Sequence, residues 1–281
     1  MEQLGRMIGG LARACHLGPT LAVTALVTTV AVGAGAGGRI SALIGAAVLT
    51  GQLSVGWSND WIDAERDLAV GRRDKPILAG AVPPRVVRAG ALVAAALCVP
   101  LSLATGWRAG FAHLVAVAAA WGYNARLKST WWSWAPYALS FGLLPAFVAL
   151  ALPGNPWPVW WVVFAAALLG VGAHVANVMP DLEDDRSTGV RGLPHRLGRT
   201  WSNLLAPSAL IAASALIVLS PAGRPGAGAL VGLVASGVIA VAAAVVALTR
   251  RHSRLPFSLT IAVAAVDVVL LVSAGASLVA R

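Results

Sequence analysis

Nine stretches of about 20 residues, each nearly free of charge, run along this chain: about 17–36, 38–58, 85–105, 107–124, 134–152, 157–178, 200–220, 227–248 and 256–278. A helix needs about 20 predominantly apolar residues to cross a bilayer core, so the pattern predicts an all-α membrane protein with nine transmembrane helices. Short turn-forming stretches separate them: "GAGG", "PP" at 83–84, "TGW", "PGNPWP" and "PAGRPGAG". Two connections are different. "NDWIDAERD" at 59–67 follows the second stretch and "NVMPDLEDD" at 177–185 ends the sixth, and both are dense in acids.

Composition strengthens the membrane reading. Of 281 residues, 58% are hydrophobic and 11% charged, with mean hydropathy +0.78; a soluble domain is nearer a quarter charged. Cys15 and Cys98 fit neither a disulfide framework nor a metal-ligand spacing, and read as small buried apolar residues. The net charge of +10 would suit a nucleic-acid partner, but the basic residues fall between apolar stretches rather than in one patch. Nucleic acid is therefore excluded, and membrane lipid is the expected surrounding. Arg6 and Arg13 before an apolar run, with "AVGAGAG" beyond it, resemble a signal peptide; the many later stretches favour reading this one as the first span.

Basic residues also set orientation. Arg6 and Arg13, then Arg66, Arg72, Arg73, Lys75, Arg85 and Arg88, then Arg126 and Lys128, then Arg186, Arg191, Arg196 and Arg199, then Arg250, Arg251 and Arg254 all fall on one side of a nine-span chain. Only Arg39, Arg108, Arg224 and Arg281 fall on the other. Lys and Arg stay cytoplasmic. The N-terminus is expected in the cytoplasm, in a multi-pass protein of the cell membrane with both acidic stretches on the cytoplasmic side.

Nine of the 11 acids lie in two clusters: Asp60, Asp63, Glu65, Asp67 and Asp74, then Asp181, Glu183, Asp184 and Asp185. On a helix, Asp60, Asp63 and Asp67 fall at roughly 0°, 300° and 340°, one narrow face. Asn177, Asp181 and Asp185 are spaced by four, with Asp184 alongside and Pro180 placed to bend the helix. Carboxylates stacked this way repel unless cations sit among them. Oxygen ligands suit a hard cation, and Mg2+ takes one or two carboxylates and completes its shell with water and phosphate. Asp60, Asp63, Asp67, Asp181, Asp184 and Asp185 are the expected metal ligands. Arg72, Arg73 and Lys75 of "GRRDKP", with Arg126 and Lys128 of "YNARLKS", supply positive charge for phosphate oxygens. Each cluster follows a two-span hairpin, which suggests an internal repeat whose acidic faces meet across a shared cavity.

These motifs resemble those of the UbiA superfamily of intramembrane prenyltransferases: "NDWIDAERD" as N-D-x-x-D-x-x-x-D, the following "RRDKPILAG", "YNARLK" after the fourth span, and "NVMPDLEDD" as N-x-x-x-D-x-x-x-D. With the nine-span layout, the resemblance covers nearly the whole chain. It implies a helical bundle around a central cavity with a lateral opening to lipid. Residues 1–281 then form a single transmembrane prenyltransferase domain, with motif loops at about 59–84 and 179–199. It implies that Asn59, Asp60, Asp63, Asp67, Asn177, Asp181 and Asp185 handle Mg2+ and diphosphate, and that Tyr123 and Lys128 approach the substrate. The five-residue Tyr-to-Lys spacing departs from the shorter one of the ubiquinone-type members and brings Arg126 in as a sharer of that role. Lys75-Pro76 stands where many members have Arg-Pro, which trades a guanidinium fork for a point charge.

The implied activity is Mg2+-dependent transfer of an isoprenoid group from a prenyl diphosphate to a small lipophilic acceptor, aromatic or quinone-like. Asp63, Asp67, Asp181, Asp185, Tyr123 and Lys128 are its expected catalytic residues, and Asn59, Asn177, Arg72, Lys75 and Arg126 its expected substrate ligands. Trp57, Trp61, Tyr123 and Phe141 are the aromatic faces available to steady an allylic cation. Two readings keep the same site: a terpene cyclase, and transfer of phosphoribosyl to a lipid phosphate. A transporter would place its acids near the bilayer midplane, whereas these lie at span ends. Asp267, His174 and His113 are isolated polar residues within spans, and each can face a cavity or bond to a neighbouring helix.

Overall fold

A computed structural model of the protein describes residues 2–69, 71, 75–250 and 255–274. The described residues are helical apart from short turns and extended connections. Helices α1 (Glu2–Ala14) and α2 (Leu17–Gly33) meet at an angle of 63° across His16, whose backbone is left-handed. Then follow α3 (Gly38–Ala69), α4 (Pro84–Leu103), α5 (Trp107–Ala125), α6 (Ala135–Ala151) and α7 (Trp160–Val178). A short α8 (Leu182–Ser187) precedes α9 (Leu193–Leu219), α10 (Ala227–Thr249) and α11 (Leu255–Ser273). Each apolar stretch read from sequence coincides with a helix, though residues 275–278 of the ninth lie outside the described residues. Among the described residues, seven helices are long and apolar enough to cross a membrane, or eight if the bent pair α1–α2 makes one span.

Three polar segments expected as tails or loops are helical instead. Residues 1–16 contribute α1, which packs Met7, Leu11 and Ala14 on Val82 and Val87. Residues 59–69 continue α3 without a break, so the first motif is helix rather than loop. Neither Gly nor Pro occurs between Ser58 and Ala69, and Asp60 and Asp63 pair with basic side chains, which offsets the repulsion that would unwind the turn. Residues 193–199 open α9, with a break at Gly198. The second motif is less regular because Pro180 cannot continue the α7 hydrogen-bond ladder; Met179–Asp181 turn as a 3-10 segment before α8.

The helices pack as neighbours in chain order, α2 on α3, α3 on α4, α5 on α6, α6 on α7, α7 on α9, and α9, α10 and α11 together. Contact between α11 and α2 closes the ring. Phe147, Ile44, Val162 and Leu210 are fully buried in the main apolar core. Small residues set the helix separations there, as is usual for membrane bundles. A side chain at Gly170 of α7 would overlap the Tyr137 carbonyl of α6, and one at Gly172 would meet Leu210 of α9. Thus α7, which carries the second motif, is held tightly on both sides. The outer face of α10 shows Val231, Val234, Val238, Val241 and Val245, all exposed, a surface suited to lipid.

Candidate active site

The two acidic motifs line one cavity of about 110 Å3. On one wall, α3 presents Asn59, Asp63, Arg66 and Asp67, spaced as one helical face. Facing them, the end of α7 and the turns beyond it present Asn177, Val178, Asp181, Asp184, Asp185, Thr188 and Val190. His16, Lys75, Tyr123 and Lys128 complete the lining. Five carboxylates therefore share a small space with Arg66, Lys75 and Lys128.

Local packing explains how α5 delivers its residues. The Asn124 amide donates to Ser58 Oγ at 2.8 Å and to the Val55 carbonyl at 2.9 Å, which ties the end of α5 to α3 beside the first motif. The following 3-10 turn, Leu127–Ser129, carries Lys128 inward, only 8% exposed. That segment is latched again at Ser133: its Oγ accepts from the Leu193 N–H at 2.8 Å and lies 3.0 Å from His174 Nε2. Lys128 donates to Asp63, and Arg66 pairs with the same carboxylate. Burial pushes the Lys128 ammonium down to about 7, and the nearby Arg66 pushes the same way, against the pull of Asp185 and Asp67.

Behind Tyr123 lies an aromatic group. Tyr137 meets its ring edge-on at 5.0 Å, His174 at 5.6 Å, and Phe141 stacks on Tyr137 at 6.4 Å.

Several sequence expectations change here. Asp60 does not line the cavity. It stands on the same side of α3 as Asp67, but its carboxylate is buried and paired with Lys75 and His16. Arg126 is exposed and also outside the lining, because the chain turns at Arg126 and brings Lys128 inward instead. Arg72, like Arg73 and Asp74, lies outside the described residues. Trp57 and Trp61 pack with Met7, Leu11 and Ile77 in a satellite core, so of the four aromatic residues only Tyr123 reaches the cavity. Asp267 is buried in the bundle, hydrogen-bonded by Ser214 of α9. His113 bonds to Ser102 Oγ at 2.8 Å and stacks on Phe147.

Sequence reasoning passed over His16 and His195. His16 lines the cavity from the α1–α2 turn. His195 is buried with Nε2 3.3 Å from Asp185 Oδ2. Neither belongs to an acidic motif or a helical repeat, so nothing in the pattern marks them.

Among the described residues, no three His, Cys, Asp or Glu side chains are drawn together as a closed metal cluster. The donor set still fits Mg2+: it is all oxygen, it lies on two walls, and it leaves space for water and phosphate to complete an octahedron. Asp63, Asp67, Asp181, Asp184 and Asp185 are the cavity carboxylates that could hold it.

A model of the UbiA prenyltransferase family matches residues 17–273. This chain belongs to that family. As a UbiA-family protein it is a prenyltransferase by class. It is 36% identical over 207 residues to the bacteriochlorophyll synthase 33 kDa chain of Cereibacter sphaeroides, a match covering 69% of this chain and 67% of that one. It is 31% identical over 146 residues to 4-hydroxybenzoate octaprenyltransferase of Cupriavidus necator, covering half of each chain. Among solved structures, a UbiA homologue from Archaeoglobus fulgidus bound to GPP and Mg2+ superposes with a TM-score of 0.69 at 16% identity, over 96% of this chain and 100% of that one. A digeranylgeranylglyceryl phosphate synthase structure gives a TM-score of 0.71 at 16% identity, over 99% and 100% of the two chains. At such identities the likeness establishes the fold.

Proposed function

We propose that this UbiA-family enzyme transfers an isoprenoid group from a prenyl diphosphate to an aromatic or quinone-like acceptor, with Mg2+, inside the membrane. The observation that carries this is the single cavity in which two acid-bearing segments, distant in sequence, face each other among three cationic side chains. The Mg2+- and GPP-bound relative of the same fold supports the choice of metal and donor. The relatives in bacteriochlorophyll synthesis and 4-hydroxybenzoate prenylation support a ring-bearing acceptor.

Ionisation breaks the allylic C–O bond and leaves its electron pair on the diphosphate, so the barrier is dominated by charge separation. Mg2+, when bound, supplies Lewis-acid stabilisation of that leaving group. Lys75 and Arg66 add positive charge, Lys128 does so when protonated, and Asn59 and Asn177 offer amide donors to phosphate oxygens. Tyr123, which lines the same space, is the aromatic ring available to steady the allylic cation. The isoprenoid tail lies among the apolar helix faces, where water cannot capture the cation. The ring of the acceptor attacks the cationic carbon and then sheds a proton, for which the carboxylates and the released pyrophosphate are the available bases.

Residues 1–281 act as one domain with nine spans, α5 and α2 completing the count. The N-terminus and the cavity face the cytoplasm of the cell membrane, on the basic side of the chain.

The test is incubation of the purified protein with Mg2+ and a panel of prenyl diphosphates, with and without aromatic acceptors, reading pyrophosphate and products. A prenylated acceptor whose formation EDTA abolishes is expected. Hydrocarbon or terpene alcohol formed without acceptor would establish a cyclase instead, and no EDTA-sensitive consumption of any diphosphate would contradict the enzyme reading.

A further inference from the structure

Asp60 belongs to the first acidic motif by sequence but not to the cavity by geometry. It is 3% exposed. Its Oδ1 accepts a hydrogen bond from Lys75 Nζ at 2.7 Å and lies 3.3 Å from His16 Nε2. Both of those basic residues line the cavity. One buried carboxylate thus holds two residues that line the cavity.

The rest of that α3 face is built to seat the same neighbour. Gly56, one turn before Asp60, receives the Cys15 carbonyl so closely that a side chain there would overlap it. The Trp57 indole N–H donates to the Leu11 carbonyl at 2.9 Å. His16, the residue after Cys15, adopts a left-handed backbone at φ 54° and ψ 60°, a conformation uncommon for a residue with a side chain and maintained only where its surroundings fix it. The elbow between α1 and α2 is therefore fixed onto α3 at Gly56, Trp57 and Asp60.

We infer that Asp60 is a positioning residue that sets Lys75 and His16 at the rim of the cavity, and that His16 is a further residue facing the diphosphate. The inference rests on the diphosphate reading above. A lysine ammonium has three N–H donors; one engages Asp60 and two remain for phosphate oxygens. The flexible four-carbon stem of Lys75 would otherwise have to be immobilised when the ligand binds, and the Asp60 anchor removes that cost beforehand.

The experiment uses the full-length protein in detergent and two probes, Mn2+ followed by its electron paramagnetic resonance signal and inorganic pyrophosphate with Mg2+ followed by calorimetry. Asp60→Asn should bind Mn2+ as the wild type does while losing about tenfold in pyrophosphate affinity. Lys75→Gln should lose a similar factor alone and less than twofold more on top of Asp60→Asn, because the two act as one unit. Asp63→Asn, on the cavity wall, should weaken Mn2+ instead. If Asp60→Asn fails to fold, Asp60→Glu carries the same comparison. Unchanged pyrophosphate affinity, or Mn2+ binding lost as in Asp63→Asn, overturns the inference. A wild-type protein that binds neither probe overturns the diphosphate reading and this inference with it.

Discussion

Lys128 is the residue whose chemistry is most altered by its position. It is buried on a short turn outside the spans, beside Arg66, and held down to about 7. Its charged form, the one that attracts a diphosphate, predominates below that value and is lost as pH rises through it. An arriving diphosphate favours the charged form, so it raises the value and draws a proton from solution. Pyrophosphate affinity is expected to fall between pH 6 and pH 8.5, with net proton uptake on binding measurable by calorimetry in buffers of different ionisation enthalpy. Lys128→Met should remove that uptake and cost about tenfold or more in affinity at pH 6, as loss of a charge-assisted hydrogen bond does. A pH profile identical in both proteins would place the titration elsewhere. The sequence offered Arg126 and Lys128 together as positive charge for phosphate, without distinguishing them. The reason Lys128 turns inward while Arg126 does not is the latch at Asn124 and Ser133, which depends on partners 60 or more residues away.

At the scale of elements, hydropathy revealed the apolar helices because a span must be apolar along its whole length. It was blind to α1, to the last turns of α3 and to the first turns of α9, because their helicity comes from one buried side or from charge pairing. The helical spacing of the first motif was legible, but it put Asp60 on one face with Asp63 and Asp67; that Asp60 is instead engaged by Lys75 and His16 depends on the α1–α2 elbow and the segment after α3. The second motif's bend was legible from Pro180. Close helix approach was legible only as glycine abundance, and the structure shows where it matters. Gly170→Ala places a methyl group against the Tyr137 carbonyl, so it is expected to destabilise the protein by about 1–3 kcal/mol, as overpacking does. Thermal unfolding in a fixed detergent checks this, and an unchanged midpoint would show that α6 and α7 are not locked there.

At the scale of the molecule, most of the described basic residues lie at the same end of the helices as the motifs, and this predicts sidedness. Arg126 lies at the cavity end of α5, while Arg108, at the start of α5, and Arg224, in the connection before α10, lie at the other end, and all three are exposed. Cys15 and Cys98 are buried, so single cysteines introduced at these arginines report without strong background. A membrane-impermeant thiol reagent should label position 126 in inside-out vesicles, and positions 108 and 224 in right-side-out vesicles. Labelling of 126 and 108 from the same side would contradict the nine-span, N-terminus-inside arrangement.

The central claim joins two distant segments in one diphosphate site, so the most direct measurement is pyrophosphate release from a prenyl diphosphate by the wild type and by Asp63→Ala and Asp181→Ala, each confirmed as folded. The wild type should turn over with Mg2+, and each single substitution should abolish release, because neither wall can hold the leaving group alone. A wild-type rate in either variant would show that the two motifs do not act together.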